Sequence, residues 1–333
     1  MRYVTFALPD SLRKPRLGAM RDDLVIDLLT ARTWAQGALS LPAEPIPPTM
    51  MELLHLGAAA QDYLRELMNS LDGTDPLEAK GASREAVGHR VTDVVLYPPL
   101  PRPTSLRDFY AFEAHVKAGA AIRGREVPQE WYEIPVFYYS NPNAIYGPGE
   151  SIPYPSYSQA LDYELEVACV IGTRGRNIPA KQAEQYIFGY TIFNDWSARD
   201  EQRKEMAVGL GPAKGKDFAS SFGPAIVTPD ELAGSATDRP GVFDLAMTAR
   251  VNGDERSRGN WKDIHYSFGE MIARASADVT LMPGDVIGSG TVGTGSLLEL
   301  TSGEGPWLQD GDSVELEIEQ LGILHNQVGA RAT

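Results

Sequence analysis

Residues 161–170 read LDYELEVACV, with acids at Asp162, Glu164 and Glu166 and with Tyr163, Leu165, Val167 and Cys169 between and after them. A repeat of two is the side-chain period of a β-strand, so the spacing predicts the acids on one face and the apolar residues on the other, toward a core. An ordinary strand with one solvated face reads the same way. Acids are depleted in strands, however, and like charges on one face repel unless a cation lies among them. By strand rise, Glu164 and Glu166 are expected roughly 6–7 Å apart, a span that one divalent ion can bridge.

Other segments offer partners for such a site. In SLRDFYAFEAHVKAGAAIRG, residues 105–124, the spacing of Asp108, Phe112 and His115 predicts one helix face. A metal ligand and a base sharing one site fit that pattern, and so do two surface polar residues. In YTIFNDWSARDEQRKEM, residues 190–206, Asp195 stands where an apolar strand ends, a position suited to a metal ligand, while Asn194 and Asp195 read equally as helix N-caps. Arg199 and Gln202 follow at helix spacing, as an anion clamp and a hydrogen-bond donor toward whatever Asp195 holds. GLGPAKGKDF carries Lys214 and Lys216 but is not a phosphate loop, since Leu210 replaces the required glycine and Asp217 the required Ser or Thr. Gly288, Gly290 and Gly293 form a GxGxxG without a following helix or a strand–helix–strand unit, which argues against a dinucleotide site.

The whole chain sets limits on these readings. Its 333 residues, 43% hydrophobic and 23% charged, describe a globular chain of one large domain or two. The balance of 45 acids against 30 bases, net -15, disfavours nucleic acid or an anionic membrane as partner but not an anionic substrate. The sole cysteine, Cys169, rules out an internal disulfide and reads as buried packing. No apolar run reaches the roughly 18 residues of a spanning helix. The opening MRYVTFALPD reads as a strand and not a signal peptide, so the expected location is cytoplasmic.

Two units are expected. Residues 1–95 hold short strands, a proline-rich loop and one long helix near residues 50–71, capped by Thr49, with Leu53, Gly57, Ala60, Leu64, Leu67 and Leu71 on its apolar face. Four prolines at 98–103 mark the boundary. Residues 104–330 are mostly short strands broken by turns, including a hairpin at Asn252-Gly253. The fold class is therefore α+β and strand-rich, without the strand–helix alternation of a doubly wound sheet. Trp131, Tyr132, Phe137 and Tyr139 read as packing or interface aromatics, and His55, His89, His265 and His325 match no role.

RDFYAFEAH, DYELEVA, NDWSARDEQ, GPAKGKDF and GSGTVGTGS followed by ELTSGEGPWLQDGD occur in an order that resembles the fumarylacetoacetate hydrolase family over about residues 95–330. The N-terminal unit resembles that family's small barrel-like domain only loosely. The resemblance implies a mixed β-sandwich roll for the main domain. It implies that Asp108, Glu164, Glu166 and Asp195 bind a divalent cation (Mg²⁺, Mn²⁺ or Ca²⁺) and that Asp162 is a supporting acid. It further implies His115 as general base oriented by Glu299. Arg199, Gln202 and Lys216 would polarise and hold the substrate, with Tyr110, Arg123, Tyr138 and Thr291 at binding positions. A small anionic oxo acid is the implied substrate, and a homodimer the implied assembly.

The chemistry is consistent with those roles. Cleaving a carbon–carbon bond of a 1,3-diketo acid needs a water activated against a carbonyl and a sink for the departing enolate, which a His–carboxylate pair and a hard cation can supply. Members of the family also act on 2-oxo acids as decarboxylases, isomerases, hydratases and lyases, including in the catabolism of aromatic compounds, so the fold alone does not select the reaction. Two departures mark the pocket as different from that of the fumarylacetoacetate enzymes. Met206 and Ala207 stand near the place of a family tyrosine, and the His115–Arg123 segment is one residue shorter. Relatives that decarboxylate oxaloacetate or cleave acylpyruvates tend to carry a glutamate where this chain has Ala118, so Glu299 favours the hydrolase arrangement.

Overall fold

The computed structural model describes residues 1–12, 14–39 and 44–331, so the first part of the expected proline-rich loop lies outside the described residues. A 12-stranded mixed sheet is the main scaffold. Its path runs through Gly88–Arg90, Leu24–Asp27, Arg16–Arg21, Arg2–Ala7, Ser220–Val227, Ile187–Asp195, Leu165–Ile171, Asp285–Gly288, Ser105–Phe109 and Phe137–Ser140. Along this path only the pairing of Asp285–Gly288 with Ser105–Phe109 is parallel. The path joins the first strands of the chain to the later ones through the pairs Arg2–Val227 and Tyr3–Ile226. The sheet is open, and the N-terminal strands extend it without closing a barrel of their own among the described residues.

A second sheet of five strands packs on one face of the first. Its order is Asp254–Asn260, Ala246–Val251, Ser313–Ile318, Gly322–Arg331 and Ser151–Tyr154. Leu165, Val167 and Cys169 share a core with Met247, Ala249, Leu316 and Leu324, which makes this half a sandwich. Ala168, Val170, Phe193 and Phe222 point the other way and pack with Leu53, Leu64 and Leu67 of the N-terminal helices. The Leu165–Ile171 strand is thus buried on both faces, beyond the half-burial its alternation suggests.

Local details follow from particular residues. Asn252 and Gly253 both have positive φ, at 54° and 84°, and turn the expected hairpin between Ala246–Val251 and Asp254–Asn260. Thr49 caps a helix as expected, its hydroxyl accepting from the Glu52 N–H at 3.3 Å. The single helix expected over 50–71 is corrected to two, Met50–Leu56 and Ala58–Asn69, because Gly57 takes φ 70° and ψ -152° and breaks the run. Cys169 is free and fully buried. Among the described residues, no helix is long and apolar enough to cross a membrane.

Candidate active site

Neighbouring strands bring four acids to one end of the large sheet. Asp108 comes from Ser105–Phe109, Glu166 from Leu165–Ile171 with Glu164 just ahead of it, and Asp195 ends Ile187–Asp195. One carboxylate oxygen from each lies within 4.8 Å of the others. All four are buried, Glu166 and Asp195 completely. A side chain at Gly288 would not fit here, since its Cβ would stand 2.4 Å from Asp108 Oδ1. Gly290, at φ 76°, donates its N–H to the same oxygen at 3.2 Å. Two glycines of the GxGxxG stretch therefore serve the Asp108 carboxylate and not a phosphate.

Such crowding is costly without a cation. Burial and then the Asp195 charge push the Asp108 carboxyl up to about 8. Burial, with Asp108 next, raises Glu166 well above the carboxylate range. Asp195 rises to about 6, chiefly by burial, although Lys216 works against it. Glu164 goes the other way: burial opposes its ionisation, but Lys216, Arg199 and His115 together hold it well below the usual range. Glu166 Oε2 and Asp195 Oδ1 are buried without any hydrogen-bond partner. Unpartnered carboxylate oxygens on two members of an all-oxygen set are the donor pattern of a hard divalent cation, and the residues present fit one.

Two cationic side chains border the acids. The Lys216 ammonium donates to Asp195 Oδ2 at 2.5 Å and also to Glu164 Oε2. Arg199 opens the helix Arg199–Val208 and places Nη2 2.9 Å from Glu164 Oε1. Gln202, one turn on, accepts from Arg199 Nη1 at 3.1 Å through its Oε1, which leaves the amide N–H₂ as its donor group. The N-cap readings do not hold: Ala198 precedes the helix without a side-chain cap, Asn194 Oδ1 accepts from the Glu164 N–H at 3.0 Å, and Asp195 belongs to the cluster.

His115 sits on the helix Glu113–Ile122, but Asp108 is on a strand, so the expected single helix face is corrected to two elements joined by residues 110–112. His115 Nδ1 lies 2.5 Å from Glu299 Oε1, and Nε2 lies 3.9 Å from Glu164 Oε1. With Nδ1 donating to Glu299, Nε2 is the nitrogen left facing the acids.

The four expected binding residues divide into two pairs. Tyr138 donates to Asp195 Oδ2, and Thr291 donates to Glu166 Oε1 at 3.2 Å, so both touch the carboxylate cluster directly. Tyr110 packs edge-on to the His115 ring at 5.3 Å, and the exposed Arg123 guanidinium lies near its hydroxyl. A cleft of about 350 Å³ bordered by Tyr139, Asn141 and Lys214 reaches the site at Lys216.

Three contributors escape the motif reading. Thr294, at φ 65°, is a β-branched residue in the left-handed region, and its N–H donates to Glu299 Oε2 at 3.0 Å. Ser296 caps the Leu297–Leu300 turn that carries Glu299, a spacing legible as S-x-x-E in SLLE. Glu205 accepts N–H bonds from Ala213, Lys214 and Gly215 and so ties the Lys216 loop to the Arg199 helix; the sequence carries no signal for it.

Residues 104–329 match the family model described as Fumarylacetoacetate (FAA) hydrolase C-terminal. The chain is 32% identical, over 98% of its length, to a mitochondrial oxaloacetate tautomerase of Bos taurus, covering 91% of that protein. A solved fumarylacetoacetate hydrolase from psychrophilic Exiguobacterium antarcticum aligns with a TM-score of 0.68 at 27% identity, covering 99% of this chain and 100% of the other. A 5-carboxymethyl-2-hydroxymuconate delta-isomerase from Mycobacterium smegmatis gives 0.63 at 27% identity, with 99% of each chain covered.

Proposed function

Because this chain belongs to the fumarylacetoacetate hydrolase family, we propose that it is a divalent-metal-dependent hydrolase cleaving a carbon–carbon bond in a 1,3-diketo or 2-oxo acid. The observation that carries the reading is the His115–Glu299 contact at 2.5 Å, with Nε2 turned toward the four acids. Asp108, Glu164, Glu166 and Asp195 would hold the cation, and their all-oxygen set favours Mg²⁺, Mn²⁺ or Ca²⁺ over zinc. Bound there, such an ion supplies positive charge against the oxygens of a chelating oxo acid and of the enolate that departs.

The side chains would divide the remaining work. His115 Nε2 takes a proton from water as the water oxygen bonds to the carbonyl carbon, and Glu299 stabilises the imidazolium so formed. Arg199 and Lys216 offset the charge that develops on the carbonyl oxygen. Collapse breaks the carbon–carbon bond, with its electron pair leaving as the enolate. His115 returns the proton to that carbon. One water is consumed, and the products are a carboxylic acid and a keto acid.

The tautomerase relative favours a second reading, in which His115 moves a proton between carbon and oxygen of a 2-oxo acid and no carbon–carbon bond breaks. Purified protein incubated with acylpyruvates, fumarylpyruvate, fumarylacetoacetate and oxaloacetate, with and without Mg²⁺ or Mn²⁺, separates the two. Metal-dependent appearance of cleavage products from a diketo acid is the expected result. Keto–enol interconversion of oxaloacetate with no cleavage of any diketo acid would replace the hydrolase reading by the second.

A further inference from the structure

We propose that Asp162 is a positioning residue that holds both the Arg199 guanidinium and the segment carrying Glu299, so that one buried carboxylate sets the relation between the two sides of the site. This rests on the reading of His115 and Glu299 as the proton-transferring pair.

Asp162 is not among the four clustered acids and is fully buried. Its Oδ2 accepts from Arg199 Nε at 2.8 Å and from the Leu298 N–H at 3.0 Å, and its Oδ1 accepts from the Leu297 N–H at 2.8 Å. Its own backbone is fixed by the pairing of Leu161–Asp162 with Ser197–Ala198, directly ahead of Arg199. The strand expected over 161–170 is interrupted at residues 163 and 164, and that break lets Asp162 pair with this neighbour while Glu164 and Glu166 turn to the cluster.

Leu297 and Leu298 open a turn of only four residues, Leu297–Leu300, with Glu299 inside it. A helix that short has no stability of its own, so its placement must come from outside contacts. Asp162 supplies two of them through N–H groups at the start of the turn, where a carboxylate is most effective. Arg199 in turn reaches Glu164, and Glu299 reaches His115, whose Nε2 faces the same Glu164. The contacts close a ring: Glu164, Arg199, Asp162, the Leu297–Leu300 turn, Glu299, His115 and back to Glu164. All three hydrogen bonds to the Asp162 carboxylate come from N–H donors, so the position calls for a group that only accepts. Charge balance for Arg199 alone would not require the bonds to Leu297 and Leu298, and capping alone would not require Arg199.

The test uses full-length Asp162→Asn and Asp162→Glu, the second keeping the charge while displacing it by one methylene. Their readouts are kcat and KM on the diketo acid turned over, Mn²⁺ affinity by calorimetry, and amide exchange at Leu297 and Leu298. Loss of positioning predicts kcat lower by about 30–300-fold with KM and Mn²⁺ affinity within about threefold, and a loss in combination with Glu299→Gln clearly below the product of the two single losses, since only the share acting through Arg199 remains. Exchange at both amides should be faster in the Asp162 variants and unchanged in Glu299→Gln. Losses that multiply in full with Glu299→Gln, or unaltered exchange, would overturn the proposal. So would variants that neither melt cooperatively nor bind Mn²⁺, since Asp162 would then be a folding residue only. Failure of the functional reading registers separately, as undiminished turnover in His115→Ala, and exchange at Leu297 and Leu298 still decides the positioning.

Discussion

His115 Nδ1 and Glu299 Oε1 lie 2.5 Å apart although 184 residues separate them in the chain. The first comes from a helix that follows the Asp108 strand, the second from a short turn held by Ser296, Thr294 and Asp162. Because the imidazole Nδ1 is committed to that carboxylate, its other nitrogen is left for chemistry on the side of the four acids. Several consequences can be measured.

Asp195→Ala should remove a central oxygen donor together with the acceptor shared by Lys216 and Tyr138. Its effect on Mn²⁺ affinity should exceed the roughly 10–100-fold typical of losing an outer-shell partner. Glu164→Gln and Glu166→Gln should each weaken binding as well, and Asp162→Asn much less. Titration calorimetry decides; an unchanged affinity in Asp195→Ala would remove that residue from the site.

Cation binding should be pH-dependent in a definite direction. Asp108 and Asp195, near 8 and 6, and Glu166, well above the usual range, hold protons in the metal-free protein that the cation must displace. Mn²⁺ affinity is therefore expected to rise from pH 6 to 8, with protons released on binding. These folded-state values lie above the unfolded ones, so the folded metal-free chain binds more protons than the unfolded chain between about 4 and about 8. Its stability should fall as pH rises through that window. Calorimetry in buffers of different ionisation enthalpy reads the proton count, and an affinity flat across pH 6–8 would contradict the account.

Gly288→Ala tests the close approach that seats Asp108. The added Cβ would lie 2.4 Å from Asp108 Oδ1 and 2.8 Å from Phe193 Cε1, so something must move. Overpacking of this kind costs typically 1–3 kcal/mol, about the loss expected in chemical denaturation. Mn²⁺ affinity should drop with it. A destabilised variant with wild-type affinity would show that Asp108 is not held by this contact.

The site was legible where chemistry and local period coincide. Alternation in LDYELEVACV marks Asp162, Glu164 and Glu166 alike, and only the family resemblance sets the two glutamates apart and prefers a ligand over an N-cap at Asp195, while the 199–202 spacing marks one helix face. The spacing of Asp108 and His115 suits one helix face, but backbone pairing with Asp285–Gly288 decides for a strand at Asp108. Such pairing is made across more than 170 residues and leaves no local trace. The break at residues 163 and 164 was hidden for the same reason, since it is visible only once Asp162 meets Ser197. Gly57 stood on the expected apolar face, yet glycine tolerates the backbone conformation that ends a helix, and there it does. Glu205 carried no mark because its partners are backbone N–H groups, which any sequence supplies.

The most direct test of the central claim is turnover of a 1,3-diketo acid by wild type, His115→Ala, Glu299→Gln and the double variant at saturating Mn²⁺. The pair acting as one unit predicts losses of about 10²–10⁴-fold in His115→Ala, a smaller but clear loss in Glu299→Gln, and a double variant no worse than His115→Ala, all with Mn²⁺ affinity nearly intact. Wild-type protein that converts oxaloacetate faster than it cleaves any diketo acid, at a rate unchanged by Glu299→Gln, would contradict it.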